Sequence, residues 1–315
     1  MEKVAIAMSG GVDSSVAAAL LQETGYQVTC LTMRLRPEGE AQSSDFIEDG
    51  QRVAGALGIP HQVIDLKEVF QEKVIALFCR EYRKGRTPNP CTGCNRHIKF
   101  GALFQAARSL GASYLATGHH ARVVKDTVSG RMLLQKGRDR QKDQSYFLYA
   151  LTQAQLRHAM FPIGHLTKAA VRVEAKKRNL PTGNRPESQD ICFIRDRDYT
   201  EFLKELAPQA FQPGPILDEQ GNILSRHRGI MHYTVGQRKG LGIAASEPQY
   251  VIAIEPENNA VIVGRRERVL GDGLEATHIN WISFEQLNHP IKTKARIRSV
   301  SYTHLRAHET SLHLV

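Results

Sequence analysis

The sequence predicts a doubly wound α/β domain built on a parallel sheet and followed by small β modules, on three observations. Short apolar strands alternate with amphipathic helices through the first part of the chain, at a spacing that suits parallel crossovers. A Gly/Ser turn, "SGGVDSS", joins the first strand to the first helix. After Pro208 the texture changes to short alternating strands separated by tight-turn sequences.

Taken in order, "KVAIAMSGGVDSSVAAALLQETGYQVTCLTMRL" reads as a strand over residues 4–8, a turn, a helix over roughly 14–24 and a strand over 27–33. Helices over 46–57, 69–84 and 100–110 and strands over 61–65 and 114–117 continue the alternation. "AQLRHAMFPIGHLTKAAVRVEAKKRNLPT" adds helices around a Pro/Gly connection, and "YTEFLKELAP" adds one more. Beyond Pro208, the turns "EQGN" and "ENNA" separate what read as small antiparallel β units. No heptad run, low-complexity segment or internal repeat is present.

With 315 residues, the chain exceeds the roughly 250 to 300 at which single cores stop growing, so more than one domain is expected. The formal charge of +10 favours a polyanionic partner, and "REYRKGR", "KKRNLPTGNR" and "GRRER" carry weight for nucleic acid only as a sum. Five irregularly spaced cysteines, Cys30, Cys79, Cys91, Cys94 and Cys192, speak against a disulfide framework and for a reducing, cytoplasmic location. Lys3, Ser9, Asp13 and Ser14 interrupt the N-terminal apolar stretch, and no run of about 18 apolar residues occurs, so neither a signal peptide nor a membrane span is expected.

At a strand-to-helix turn, backbone N–H groups and the helix dipole favour a bound phosphate. Gly10 and Gly11 allow close approach of the backbone, and Ser9, Ser14 and Ser15 add hydroxyl donors. The GxxxxGK[ST] pattern of the usual nucleotide loop is absent. "NPCTGCNRHIKF" sets Cys91 and Cys94 three residues apart on a Pro-rich turn, open to reading as metal ligands, a redox pair, a nucleophile with a bystander, or packing residues. Arg96, His97 and Lys99 stand close enough in sequence to lower a thiol pKa there. His119 and His120 are adjacent and face different ways, which disfavours a shared zinc ion. Cys30 and Cys79 lie in apolar contexts and read as packing residues.

With Asp13 included, "SGGVDSS" resembles the pyrophosphate loop of the ATP pyrophosphatase (PP-loop) superfamily, whose fold is adenine nucleotide alpha hydrolase-like. "GRTPNPCTGCNRHIKFG", "ATGHHAR", "KDQSYFL", "ESQDICFI" and "HYTVGQRKGLGI" together resemble the bacterial-type tRNA-specific 2-thiouridylase family, in that family's order, over nearly all of residues 1–298. The resemblance implies ATP-dependent 2-thiolation of the wobble uridine of tRNA. The C2 oxygen is adenylylated, and a cysteine persulfide supplies sulfur as AMP leaves.

What it implies of residues follows the motifs. Ala7, Met8, Ser9, Gly10, Gly11, Val12, Asp13, Ser14 and Ser15 would hold ATP, with Asp13 on its Mg2+; Met33 and Gly118 would contact adenosine. Cys192 would carry the persulfide and Cys94 would act on it. Asn89, Pro90 and Cys91 would face the target base, and Lys142, Asp143 and Gln144 would contact tRNA. A sulfur-donor protein of a persulfide relay is the further partner implied. Residues 1–207 would form the catalytic domain, 208–268 a central small β domain, and 269–298 the start of a truncated C-terminal β-barrel.

Two departures from the family pattern stand out. Cys91 occupies a position where well-known members carry aspartate, so Cys91, Cys94 and Cys192 form an alternative ligand set for an iron–sulfur cluster. Residues 299–315 match a back-translated transposase adapter and not a β domain, which predicts a non-native tail. Two further alternatives are a PP-loop synthetase acting on a small substrate, and a non-enzymatic metal- or RNA-binding protein using "CTGC".

Overall fold

A computed structural model describes residues 1–36, 43–182, 193–194, 202–204, 211–270, 273, 275–294 and 311–313. The described chain divides into two compact units. One comprises Met1–Val74, Cys91–Glu187 and Thr277–Val315; the other comprises Ile75–Pro90 and Ser188–Ala276.

The first unit is organised by a five-stranded, all-parallel sheet. Its strands are β1 (Lys3–Ala7), β2 (Gln27–Arg34), β3 (His61–Asp65), β4 (Tyr114–Ala116) and β7 (Ala159–Met160), in the order β3-β2-β1-β4-β7. Val4, Ala5 and Ile6 of the central strand are buried, as a parallel strand covered on both faces requires. The chain runs outward from β1 on one side to β2 and β3, and on the other to β4 and β7. The order therefore reverses between β1 and β4, where open α/β sheets bind ligands beyond the strand C-termini. The doubly wound expectation holds. The strand β7 was not expected, because two residues are too few to show a period.

α1 (Val12–Glu23) follows β1 and buries Val16, Ala17, Ala18 and Leu21 in one core with Val171 and Ala175 of α8 (Lys168–Lys177). It begins two residues earlier than expected, because Gly11 adopts extended backbone (φ −76°, ψ 161°) and serves as the N-cap. Asp13 therefore lies in the first turn. α2 (Ser43–Leu57) follows β2. A second unexpected element is the hairpin of β5 (Ala121–Lys125) and β6 (Met132–Lys136), whose turn is pinned by Asp126 accepting from Ser129 N at 2.9 Å.

Two helical stretches contain π-helical segments. The first runs as α3 (Lys67–Phe70), a π segment (Gln71–Ile75) and α4 (Ala76–Arg83). In the second, α5 (Pro90–Gly93) leads into a π segment (Cys94–Leu103) and then α6 (Phe104–Ser109). This corrects the placing of Cys91 and Cys94 on a turn: Pro90 opens the helix, where its fixed φ and missing N–H cost nothing, and both cysteines are helical. Gln155 of α7 (Gln153–Leu156) donates from Nε2 to the carbonyls of Arg96 (2.7 Å) and Phe100 (3.0 Å), bracing the widened turns from outside.

Residues 277–288 pack on the same unit: Arg131 donates to the Trp281 and Ile282 carbonyls (3.1 and 3.0 Å), and Asn280 to those of Tyr149 and Leu151 (both 2.8 Å). β12 (Lys292–Lys294) pairs antiparallel with β13 (Ser311–His313); apart from that pairing, the stretch read as a foreign tail lies outside the described residues.

The second unit contains a four-stranded sheet, β10-β11-β8-β9, formed by β8 (Gly214–Leu217), β9 (Ile223–His227), β10 (Tyr250–Glu255) and β11 (Ala260–Gly264). The "EQGN" and "ENNA" turns join β8 to β9 and β10 to β11 as expected. Asp218 accepts from Gln220 N (2.9 Å) and Asn222 N (2.8 Å) in the first, and Asn259 takes positive φ in the second. The sheet is mixed, however, since β8 and β11 pair in parallel. In the same unit Phe78 meets the edges of Tyr82 and Phe193 at ring-centroid separations of 4.9 and 5.5 Å.

Candidate active site

The Gly/Ser loop sits at the switch point between β1 and β4. Gly10 is required by the fold twice over: its φ is +72°, and a Cβ there would lie 2.2 Å from the Cβ of Asp49 on α2. Gly11 is different. A Cβ on Gly11 would meet nothing closer than Ser9 Oγ at 3.5 Å, so the space before the helix is open. Gly118, just past β4, closes the other side, and a Cβ there would stand 2.6 Å from Ser14 N and 2.7 Å from the Asp13 carbonyl carbon.

The loop hydroxyls divide by role. Ser15 Oγ and Ser14 Oγ donate to the Gly11 carbonyl at 2.9 and 3.1 Å, and both residues are buried. These bonds brace the loop. Ser9 is exposed, with its Oγ 3.2 Å from Ser14 Oγ. Among the described residues no side chain caps the N-terminus of α1, so its first-turn N–H groups can receive an anion. Met8 N donates to Leu31 O (2.8 Å) and the Met8 carbonyl accepts from Thr32 Oγ1 (2.9 Å), tying the loop entrance to β2. Ala7 ends β1 and Met33 lies near the end of β2, both half-buried at the same edge of the sheet.

Asp13 is the charged centre. Its Oδ2 lies 2.6 Å from Lys168 Nζ and its Oδ1 3.4 Å from His120 Nε2. Burial pushes the carboxyl up, but hydrogen bonds from His120 and Lys168, with their charges, outweigh it and hold the pKa below the ordinary 3.8. The pair's stabilisation is therefore complete above that value and lost only as pH falls through the lower folded pKa; near neutrality Asp13 stays charged. Neither Lys168 nor His120 was expected here. The available signal was Lys168 itself, a cation at the first position of a helix, where the dipole disfavours it.

The adjacent histidines do part company, as their spacing implied. His119 Nδ1 lies 2.6 Å from Thr117 Oγ1 with its ring against Phe161, and burial holds its pKa well below the ordinary value, so it is neutral. His120 faces Asp13, and its Nδ1 is buried without a hydrogen-bond partner among the described residues.

Residues 139–147 connect this centre to the cysteine helix. Gln144 grips the main chain of His120 in both directions, its Oε1 accepting from His120 N at 2.9 Å and its N donating to His120 O at 3.0 Å. Asp143 accepts from Gly137 N (3.0 Å) and from Ser145 N (3.2 Å) and Oγ (2.9 Å). The side chains of both residues are thus engaged within the loop. Lys142 N donates to Asp139 at 3.2 Å. Beyond them, Asn95 Nδ2 donates to Phe147 O at 2.9 Å, one residue after Cys94. Asn95 Oδ1 and Thr92 Oγ1, beside the two cysteines, are buried without a partner among the described residues.

Cys94 is buried and Cys91 half-buried on the helix; Asn89 is half-buried and Pro90 buried, in the second unit. Cys192 lies outside the described residues. Among those described, no group of three or more His, Cys, Asp or Glu side chains could hold a metal ion. Cys30 and Cys79 are buried thiols whose pKa burial raises, that of Cys30 to about 12, consistent with packing roles.

A parallel sheet with this loop at its switch point defines the class: a PP-loop domain, built to receive the phosphates of a nucleotide. Comparison with known proteins narrows it. A family profile described as "tRNA methyl transferase HUP domain" matches residues 2–196, and one described as "tRNA methyl transferase PRC-barrel domain" matches 200–265. The tRNA-specific 2-thiouridylase MnmA of Halothermothrix orenii is 50% identical over 306 residues, spanning 95% of this chain and 85% of its own. The tRNA-specific 2-thiouridylase MnmA 1 of Caldanaerobacter subterraneus subsp. tengcongensis is 50% identical over 305 residues, spanning 94% and 84%. The chain belongs to the tRNA-specific 2-thiouridylase family. Among solved structures, the U34-tRNA thiolase NcsA from Methanococcus maripaludis with its 4Fe-4S cluster is 20% identical with a TM-score of 0.39, covering 66% of this chain and 67% of that one. A likeness that slight carries no weight for a cluster here.

Among the described residues no helix is long and apolar enough to cross a membrane.

Proposed function

We propose that this chain catalyses ATP-dependent 2-thiolation of the wobble uridine of tRNA through a cysteine persulfide. The observation that carries the reading is the intact "SGGVDSS" loop at the sheet's switch point, in a chain half identical to 2-thiouridylases. The C2 oxygen of uridine attacks the α-phosphorus of ATP, and the bond to the β-phosphate breaks with release of pyrophosphate. The terminal sulfur of a Cys192 persulfide then attacks C2, and the C2–O bond breaks with release of AMP. Cys94 thiolate attacks Sγ of Cys192, leaving sulfur on C2 and a Cys94–Cys192 disulfide, which a thiol reductant must open before the next turnover.

Within this reading the open N-terminus of α1, with Ser9, Gly10 and Gly11, receives the phosphates. Asp13, kept ionised, holds the magnesium, and Met33 and Gly118 border the adenosine. Bound Mg2+ would neutralise charge developing on the departing pyrophosphate. Asn89, Pro90 and Cys91 face the target base, while Lys142 to Gln144 present the tRNA contact from the loop tied to His120. Cytoplasmic location and a persulfide-carrying donor protein complete the reading, supported by irregular cysteines that suit a reducing compartment.

The domain division we favour is 1–207 for catalysis, 208–268 for a central β domain, 269–298 for the start of a third and 299–315 as non-native. Profile matches ending at 196 and 265 support the first two. Compact packing groups Ile75–Pro90 with the β region and Thr277–Val315 with the sheet, so packing and sequence divisions differ.

ATP–pyrophosphate exchange measured with and without tRNA tests the reading. Exchange should require tRNA, because the acceptor oxygen belongs to it. Exchange at full rate without tRNA would instead favour a synthetase acting on a small molecule.

A further inference from the structure

Asn95 stands beside Cys94 in a place where packing alone favours a leucine. It is 2% exposed, on a helix whose Ile98, Phe100 and Leu103 are also buried. Its amide is committed: Nδ2 donates to Phe147 O at 2.9 Å, and Oδ1 is buried without a hydrogen-bond partner among the described residues. A leucine of similar size would bury no unmet acceptor, so the bond to Phe147 is what the asparagine adds. Asn95 is also the second residue of the π segment Cys94–Leu103, a helix geometry that recurs at functional sites.

The carbonyl it holds ends a short 3-10 turn, Ser145–Phe147, directly after Lys142, Asp143 and Gln144. Phe147 N donates to Gln144 O at 3.0 Å, and Gln144 holds the main chain of His120, whose Nε2 faces Asp13. Asp139 and Asp143 fix the same loop, accepting from Gln141 N and Gly137 N at 3.0 Å each. One loop therefore carries bonds to the nucleotide centre and to the cysteine helix. Gln155 braces the turns beyond Asn95 from a separate element, so the helix keeps another anchor when the Asn95 bond is removed.

We propose that Asn95 is a positioning residue for sulfur release: by tying the first turn of the cysteine helix to the loop after residues 142–144, it sets where Cys94 stands when its thiolate attacks Sγ of Cys192. This rests on the reading of Cys94 as the thiol that closes the disulfide. Asn95 acts through Cys94 and touches no reacting atom. Adenylylation, carried by the loop at the switch point, does not pass through it.

A single turnover by the full chain carrying a persulfide on Cys192, with tRNA, ATP and Mg2+ and no free thiol, tests this. In Asn95→Leu, tRNA-dependent ATP–pyrophosphate exchange should stay within about threefold of the parent, while release of thiolated tRNA should slow about 30- to 100-fold, the scale of a displacement near 1 Å. tRNA should meanwhile accumulate in disulfide linkage to the protein. A small thiol such as dithiothreitol, attacking Sγ of Cys192 in place of Cys94, should then free it as thiolated tRNA. A residue that only stabilised the fold would slow exchange and release together, accumulate no linked tRNA and gain nothing from the thiol. Melting temperatures show whether the variant is folded; should Asn95→Leu not fold, Asn95→Ser, which leaves room for water at the Phe147 carbonyl, is read by the same measures. Parent-like release by a folded variant, or slowed release without linked tRNA, overturns the proposal. A parent chain that yields no thiolated tRNA would instead remove the functional reading beneath it.

Discussion

Cys192→Ala should lower transfer of sulfur to tRNA by about four orders of magnitude, the scale seen when a covalent nucleophile is deleted. tRNA-dependent ATP–pyrophosphate exchange should persist in the same variant, because adenylylation is carried by the loop at the β1–β4 switch point and precedes any sulfur chemistry. The two readouts separate persulfide transfer from a general loss of structure. Cys94→Ala should behave similarly but trap tRNA on the enzyme through a Cys192–S–S–C2 linkage, since the thiol that cleaves that linkage at Sγ of Cys192 is gone. Cys91→Ala distinguishes the iron–sulfur alternative. A cluster held by three thiolates fails when any one is lost, whereas persulfide transfer tolerates this change within a few fold. Anaerobically purified protein should be colourless and active; brown protein whose activity follows its iron content would contradict the persulfide account.

The two adjacent glycines of the loop should both be needed for nucleotide binding but only one of them for stability. Gly10→Ala places a Cβ 2.2 Å from that of Asp49 on a backbone of φ +72°. The left-handed conformation alone costs about 1–2 kcal/mol. Forcing α2 away adds about 1–3 kcal/mol. A melting temperature depressed by several degrees, with nucleotide binding lost, is expected. Gly11→Ala meets only Ser9 Oγ at 3.5 Å from a φ of −76° and should fold within about 0.5 kcal/mol of the parent. Its methyl would nonetheless fill the space before α1, so ATP binding should weaken while stability is kept. Equal destabilisation by both substitutions would show that the second glycine is structural, and would remove the reason for placing phosphate there.

The loop was legible because its chemistry is local. A strand, seven residues and a helix are contiguous, and the sheet then sets them at the switch point. Its partners were not, since Asp13 meets His120 across 107 residues and Lys168 across 155, and no short window contains such pairs. The helix N-cap shifted to Gly11 because extended backbone there satisfies the turn, which drew Asp13 into the first turn where Lys168 can reach it. Pro90 read as part of a turn, yet the first position of a helix is as natural a place for proline, and that one choice moved both cysteines onto a helix. The composition of the loop offers the Ser15 hydroxyl as a donor, while its direction in this structure, toward Gly11 O, is a property of the folded turn. β7 escapes a sequence reading because two residues have no period. The parallel pairing of β8 with β11 joins strands more than forty residues apart, beyond the reach of hairpin signals.

Mass spectrometry of nucleosides from tRNA incubated with the protein, ATP, Mg2+ and a persulfide source tests the central claim most directly. The account predicts 2-thiouridine at the wobble position, formed only when ATP is present and absent with Cys192→Ala. Unmodified tRNA from a folded protein that binds both ATP and tRNA, or thiolation that proceeds without ATP, would contradict it.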